Sequence, residues 1–134
     1  MSLLVDTSVW SLSLRRDPPD APEVSALNDA LSGSELIVTT GVVVQEVLQG
    51  LVSDASRDAV RDRMSRLARI PVELDDHLAA ADAHRACRRR GIQLGTIDAL
   101  LAALCLRRGL TMLTTDRDFL HAAPYLGLRV WAPV

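Results

Sequence analysis

Short apolar runs separated by helix-length segments are the feature that most constrains the fold of this chain. The runs have strand character and lie at residues 3–5, 36–38, 70–74, 112–113 and 128–131. Strands that alternate with helices in this way are typical of α/β folds with a largely parallel sheet. The runs at 3–5, 36–38 and 112–113 are apolar throughout, as expected when helices cover both faces of the sheet. The pattern therefore predicts an α/β fold around a short, mainly parallel sheet.

Helix signals fill the segments between these runs. One predicted helix follows Asp20 as its cap, another follows Thr40, and a third spans about residues 55–67. The segment 75–91 begins with acids and ends with arginines and a glycine, in agreement with the helix dipole. The next helix, with Thr96 as its predicted cap, is the most apolar and is expected to be strongly buried.

Size and composition limit the class of protein. A chain of 134 residues that is 49% hydrophobic fits one domain spanning residues 1–134. No apolar run approaches the roughly 20 residues that cross a bilayer, and the first residues do not resemble a signal peptide. We therefore expect a cytoplasmic protein without membrane attachment. Cys87 and Cys105 lie inside helix-like segments and are expected to be buried thiols rather than disulfide partners or zinc ligands.

The chain contains no lysine, so all 15 of its basic residues are arginine. This absence excludes a P-loop lysine, a Schiff-base lysine and the lysine of a phospho-receiver site. The formal net charge of −2 also excludes a uniformly basic protein. The planar guanidinium group suits phosphate recognition, although an arginine in the last turn of a helix also favours the helix dipole.

Four acids lie at or shortly after predicted transitions from strand to helix. Asp6 and Asp116 follow strands, and ligands of parallel α/β sheets bind outside the carboxyl ends of the strands. Glu46 and Asp98 lie in apolar helices, where an unpaired charge is costly. Each acid alone has a plain structural explanation, such as a favourable position at a helix N-terminus. Together, four clustered carboxylates need a cation, and Mg²⁺ or Mn²⁺ prefers such oxygen ligands.

Four segments carry a resemblance to a known family: "VDTSVW", "QEVLQG", "GTIDALLAA" and "LTTDRDF". In this order and at these spacings they resemble the PIN-domain ribonucleases, specifically the VapC-type toxins of type II toxin–antitoxin modules. The resemblance covers essentially the whole chain and implies a three-layer α/β/α sandwich. It also implies an endoribonuclease, dependent on Mg²⁺ or Mn²⁺, that hydrolyses RNA phosphodiester bonds with metal-activated water.

The resemblance assigns site residues by matching position. It implies a quartet of catalytic, metal-binding acids, of which the glutamate binds directly or through water: Asp6, Glu46, Asp98 and Asp116. Asp118 would be an auxiliary acid, and Ser8 and Thr115 would order a water or a carboxylate, although both residue types also cap helices. Arg15 and Arg117 are the predicted contacts to the RNA substrate.

The resemblance further implies a homodimer and a small antitoxin whose tail lies over the site. Apolar side chains that could line a groove for this tail are Trp10, Leu12, Leu14, Leu48, Leu51 and Val52. Core packing is the alternative for these residues. Two other functions remain open: a PIN nuclease that matures RNA without an antitoxin, and a non-catalytic module of the same fold that binds RNA or a protein.

Overall fold

The computed structural model describes residues 1–33 and 35–134, which contain four strands and seven helices. The elements in chain order are β1 (Ser2–Val5), α1 (Thr7–Ser13), α2 (Pro22–Ser32), β2 (Leu36–Thr39), α3 (Gly41–Gln49), α4 (Asp54–Ser65), β3 (Ala68–Arg69), α5 (Leu74–Arg89), α6 (Thr96–Arg108), β4 (Thr111–Leu113) and α7 (Arg117–Leu126). None of the helices in these two ranges is both long and apolar enough to cross a bilayer.

The four strands form one parallel sheet in the order β3-β2-β1-β4. Leu3 of the inner strand β1 pairs with Ile37 on one side and with Thr111 on the other. Leu3, Leu4 and Val5 are fully buried, because helices cover both faces of the sheet. The predicted α/β/α sandwich is therefore confirmed. Its parallel strands bring the segments after β1, β2 and β4 to the same edge.

Two predicted strands differ from what the sequence pattern indicates. The run at 70–74 lies wholly outside β3, which ends at Arg69. Ile70 donates the last hydrogen bond to Thr39, and Pro71 has no N–H to continue the ladder. The run at 128–131 forms one parallel bridge, between Met112 and Val130. Only Met112, the middle residue of the three-residue strand β4, directs its backbone N–H and C=O away from β1. These two groups bond to Arg129 and Trp131, so the run at 128–131 has no further partners on β4.

Two predicted helix caps are wrong by one residue. The N-cap of α2 is Ala21 rather than Asp20, and a proline occupies the first turn, where its missing N–H costs nothing. The N-cap of α6 is Gly95, so Thr96 is the first helical residue. The predicted burial of α6 is confirmed, since its residues 99–105 are all buried. Both cysteines are free and buried, as expected.

An ion network around one buried aspartate joins the start of α5 to the end of α6. The side chain of Asp76 is fully buried and accepts hydrogen bonds from Arg107 Nε at 2.8 Å and Arg108 Nη2 at 3.0 Å. It also accepts the backbone N–H of Glu73 at 2.9 Å. This N–H and the two guanidinium groups hold the pKa of Asp76 below its ordinary value, against the opposing effect of burial. The network fixes α6, whose first turn carries Asp98.

Candidate metal centre

Asp6 lies at the carboxyl end of β1, where it is also the N-cap of α1. The residue is only 5% exposed. The Oδ2 atom accepts a hydrogen bond from the Ser8 hydroxyl at 2.7 Å and another from the Thr114 hydroxyl at 2.9 Å. Because both hydroxyls bind the same oxygen, Oδ1 is left for a ligand. The strand end and the two hydroxyls thus hold one carboxylate in a fixed orientation.

Glu46 reaches the same edge of the sheet from α3, the helix that follows β2. Its Oε1 atom accepts a hydrogen bond from the Thr7 hydroxyl at 2.9 Å. Thr7 is the first residue of α1 and immediately follows Asp6. The arrangement orients the glutamate and leaves its second oxygen for a ligand, as at Asp6.

Three aspartates complete the acidic edge. Asp98 lies in the first turn of α6, and Asp116 and Asp118 lie at the start of α7. Each of the three aspartates has one carboxylate oxygen that lies within 4.8 Å of a carboxylate oxygen of the other two. Asp116 also caps α7, because its Oδ1 atom accepts the backbone N–H of Asp118 at 2.9 Å. Capping uses one oxygen of Asp116 and leaves the other for the cluster.

The electrostatics of Asp98 connect all five acids. Its pKa is raised from 3.8 to about 6, first by burial and then by four neighbouring negative charges. In decreasing order of effect, these charges belong to Asp6, Asp116, Glu46 and Asp118. The structure therefore brings the predicted quartet and the auxiliary Asp118 together, and we refer to these five residues as the acid cluster. Like charges at this density favour either a retained proton or a bound cation.

The hydroxyl groups around the acid cluster differ in part from those predicted. The Ser8 hydroxyl donates to Asp6 as expected. The second hydroxyl that donates to Asp6 belongs to Thr114 rather than to Thr115. Successive side chains of an extended chain point to opposite sides, so only one of the two threonines can face Asp6. Thr115 contributes its backbone N–H, which donates to Ser8 Oγ at 3.2 Å. Thr7 and Thr114 were missed, although each lies within two residues of a predicted acid.

The two arginines predicted to contact substrate lie in different places. Arg117 is exposed at the start of α7, between two acids of the cluster. Arg15 follows α1 and lines a separate cleft of about 450 Å³ together with Leu14, Leu51 and Val52. None of the described residues lining that cleft belongs to the acid cluster. Arg15 is therefore placed beside the apolar surface rather than at the acids.

The predicted apolar groove is smaller than expected. Trp10 is 4% exposed and belongs to the core, because α1 directs it toward the interior with Val9. Leu14 and Leu51 are partly buried, whereas Val52 is fully exposed. The cleft beside Arg15 therefore keeps part of the predicted apolar lining, without the tryptophan.

The donor atoms of the acid cluster fit a hard divalent cation. Among the residues that the structure describes, the group of potential ligands close enough to share one ion consists of carboxylates alone, without histidine or cysteine. Carboxylate oxygens are the ligands that Mg²⁺ and Mn²⁺ prefer, whereas zinc favours nitrogen and sulfur. Asp6, Glu46 and Asp116 each engage one oxygen in a hydrogen bond and keep the other for a metal.

Comparison with known proteins agrees with the fold. The sequence pattern described as the PIN domain matches residues 3–124, which is most of the chain. The chain belongs to the PIN-domain family. It is 33% identical over 123 residues to "Ribonuclease VapC23" of Mycobacterium tuberculosis, covering 90% of this chain and 97% of that protein.

Solved structures of two Mycobacterium tuberculosis proteins are similar to this PIN domain. One is VapBC-5, described as a member of the VapBC family of toxin–antitoxin systems, with a TM-score of 0.72, 20% identity and 98% of each chain covered. The other is VapC20, described as a toxin that cleaves the sarcin–ricin loop, with a TM-score of 0.67 and 21% identity. That comparison covers 90% of this chain and 94% of the other. At these identities the two structures establish the shared fold.

The raised pKa of Asp98 predicts how the stability of the metal-free protein depends on pH. Between pH 3.8 and about 6 the folded state holds more protons at this residue than the unfolded state does. The contribution of Asp98 to the free energy of unfolding should therefore fall as pH rises through this window and stay constant above it. Melting temperatures in EDTA, measured for wild type and Asp98→Asn, test this. The difference between the two proteins should grow toward neutral pH, and a constant difference would contradict the assignment.

Proposed function

We propose that this protein is a metal-dependent endoribonuclease that acts as the toxin of a type II toxin–antitoxin module. The observation that carries the proposal is the convergence of five acids at the carboxyl edge of a PIN-domain sheet. Further support comes from the 33% identity to a protein named as a ribonuclease. The similar structures described as a toxin and a toxin–antitoxin system point the same way.

Asp6, Asp98 and Asp116 would hold one Mg²⁺ or Mn²⁺, while Glu46 would bind it directly or through water. Asp118 would assist from the start of α7. When bound, such an ion supplies activation of a water nucleophile and neutralises charge on the phosphodiester. The chemistry needs no covalent nucleophile from the protein.

The contribution of the surrounding residues is orientation and charge. Ser8 and Thr114 fix the carboxylate of Asp6 through one oxygen, and Thr7 does the same for Glu46. A carboxylate held in this way needs less reordering when it binds a cation, so the site is organised in advance. The pKa of Asp98 is raised to about 6, so any proton that it retains would be released as the cation binds.

The proposal includes three partners and a cellular location. The substrate is RNA, and a small antitoxin protein covers the acids with its tail. The cleft beside Leu14, Leu51 and Val52 offers apolar side chains for part of such a tail. We further propose a homodimer that works in the cytoplasm.

Cleavage of RNA by the purified protein is expected only with Mg²⁺ or Mn²⁺ and should stop with EDTA, because the acid cluster cannot bind phosphate without a cation. Gel analysis of labelled RNA measures this, with Asp6→Asn as the inactive control. If the protein cuts RNA with neither Mg²⁺ nor Mn²⁺, the non-catalytic module is favoured.

To separate a toxin from an RNA-maturation nuclease, the protein is expressed in cells without an antitoxin. A toxin should arrest growth, whereas harmless overexpression would favour RNA maturation.

A further inference from the structure

A cleft opens directly from the acid cluster toward the C-terminal half of α5. Asp98 and Asp118 form part of its wall, and the opposite wall comes from α5 and the loop that connects it to α6. The cleft encloses about 480 Å³. This volume lies within the range of roughly 300–1,000 Å³ that is usual for sites binding small organic groups. A ligand that reaches the acids can therefore extend into this space.

The far wall of the cleft carries groups suited to RNA. His84 and Arg88 are four residues apart on α5 and so share one face of the helix, and Gln93 lies on the connecting loop. Arg88 is exposed, and within the described chain no carboxylate lies close enough to form a salt bridge with it. By contrast, Arg107 and Arg108 are bound to Asp76.

The same two side chains of α5 also line a second cleft. It has a volume of about 440 Å³ and continues between α5 and α6, where Ile97 and Leu100 form part of its wall. Because His84 and Arg88 belong to both clefts, they lie at the junction of a groove that leads away from the acids. A single strand of RNA that extends from the acid cluster along this groove would pass His84 and Arg88.

We infer that this cleft binds the nucleotide next to the scissile phosphate of a single-stranded RNA, with Arg88 paired to that nucleotide's phosphate. The inference rests on the proposed ribonuclease function and adds a binding site to it. Negative charge at one end of the cleft would hold the cation, which in turn would attract the scissile phosphate. The positive charge of Arg88 at the other end would attract the neighbouring phosphate. His84 and Gln93 supply hydrogen-bonding groups for the sugar or base.

Arg88→Gln tests the site, with Arg89→Gln as the matched control. Arg89 is the next residue, is also exposed in the last turn of α5, and lines neither cleft. Both changes remove one charge and any favourable interaction with the helix dipole, so only a phosphate contact distinguishes them. Affinity for an unstructured RNA oligonucleotide is measured by fluorescence anisotropy with Ca²⁺, over a series of salt concentrations. Cleavage is measured separately with Mg²⁺.

Arg88→Gln should raise the Kd about tenfold. It should also make the negative slope of the logarithm of the association constant against log salt shallower by about 0.7, while Arg89→Gln changes neither quantity. Equal effects of the two variants on binding would overturn the site while leaving the ribonuclease proposal intact, provided that wild type cuts RNA. A change of oligomeric state in Arg88→Gln alone, with RNA affinity unchanged, would show that a second copy of the chain occupies the cleft. If wild type neither binds nor cuts RNA, the proposed function itself fails.

Discussion

Asp98→Asn is expected to lower the rate of RNA cleavage by at least about a hundredfold while leaving the fold intact. Asparagine matches the shape of aspartate but lacks its charge and is a weaker ligand for a hard cation. The four neighbouring acids and burial already oppose the charge of Asp98, so its loss should raise the melting temperature of the metal-free protein. Initial rates at saturating Mg²⁺ and melting curves in EDTA measure the two effects.

Asp82→Asn is the matched control for this prediction. Asp82 is exposed in the middle of α5 and forms no salt bridge with any described residue. The control should keep wild-type activity and show little change in melting temperature. Full activity in a folded Asp98→Asn protein would remove Asp98 from the site. An inactive variant with an unchanged melting temperature in EDTA would contradict the like-charge repulsion.

The convergence of the acids was predictable because it depends on topology rather than on detailed packing. Parallel strands end at one edge of a sheet, so residues that follow them, such as Asp6 and Asp116, meet without further information. The choice between Thr114 and Thr115 depends instead on which side chain faces Asp6 after β4 ends. That orientation follows from strand register, which a single sequence does not specify.

Contacts between distant segments were not predictable from local patterns. The hydrogen bond from Thr7 to Glu46 joins residues 39 positions apart, and the one from Arg107 to Asp76 joins residues 31 apart. In the sequence, Asp76 has the features of an ordinary acid at a helix start, where exposure is the usual expectation. Only the packing of α5 against α6 reveals that it is fully buried and paired.

Asp116 shows why structural and functional explanations of an acid need not compete. The residue caps α7 with Oδ1, and one of its carboxylate oxygens lies close to those of Asp98 and Asp118. Asp6 follows the same principle, because two hydroxyls bind one oxygen and leave the other for a ligand. A carboxylate has two oxygens, so one can hold the residue in place while the other binds a cation. A helix-cap position is therefore no argument against a metal ligand.

The buried acid outside the cluster should have the largest effect on stability. Asp76→Ala is expected to lower the free energy of unfolding by about 3 kcal/mol, at the low end of the range for breaking a buried ion pair. The two arginine side chains are 38% and 29% exposed and can regain water, which limits the cost. The pKa of Asp76 is lower in the folded state than in the unfolded state, so its ionised carboxylate adds to the free energy of unfolding at pH values above the unfolded pKa of 3.8. This stabilisation should be lost as the pH falls through the pKa of Asp76 in the folded protein.

Urea denaturation of Asp76→Ala and of Asp62→Ala tests this prediction near neutral pH and in acid. Asp62 of α4 forms an exposed pair with Arg66, the residue that caps the end of this helix, and 63% of the Asp62 side chain is accessible. Loss of this pair should cost no more than about 0.5 kcal/mol. The difference in the free energy of unfolding between wild type and Asp76→Ala should become smaller below pH 3.8, where the charge of Asp76 is increasingly neutralised. Equal losses of stability in Asp76→Ala and Asp62→Ala would mean that the network around Asp76 does not hold α5 and α6 together.

The network also fixes the helix that carries Asp98. Asp76→Ala should therefore weaken the binding of Mg²⁺, measured by calorimetry at a temperature where the variant is still folded.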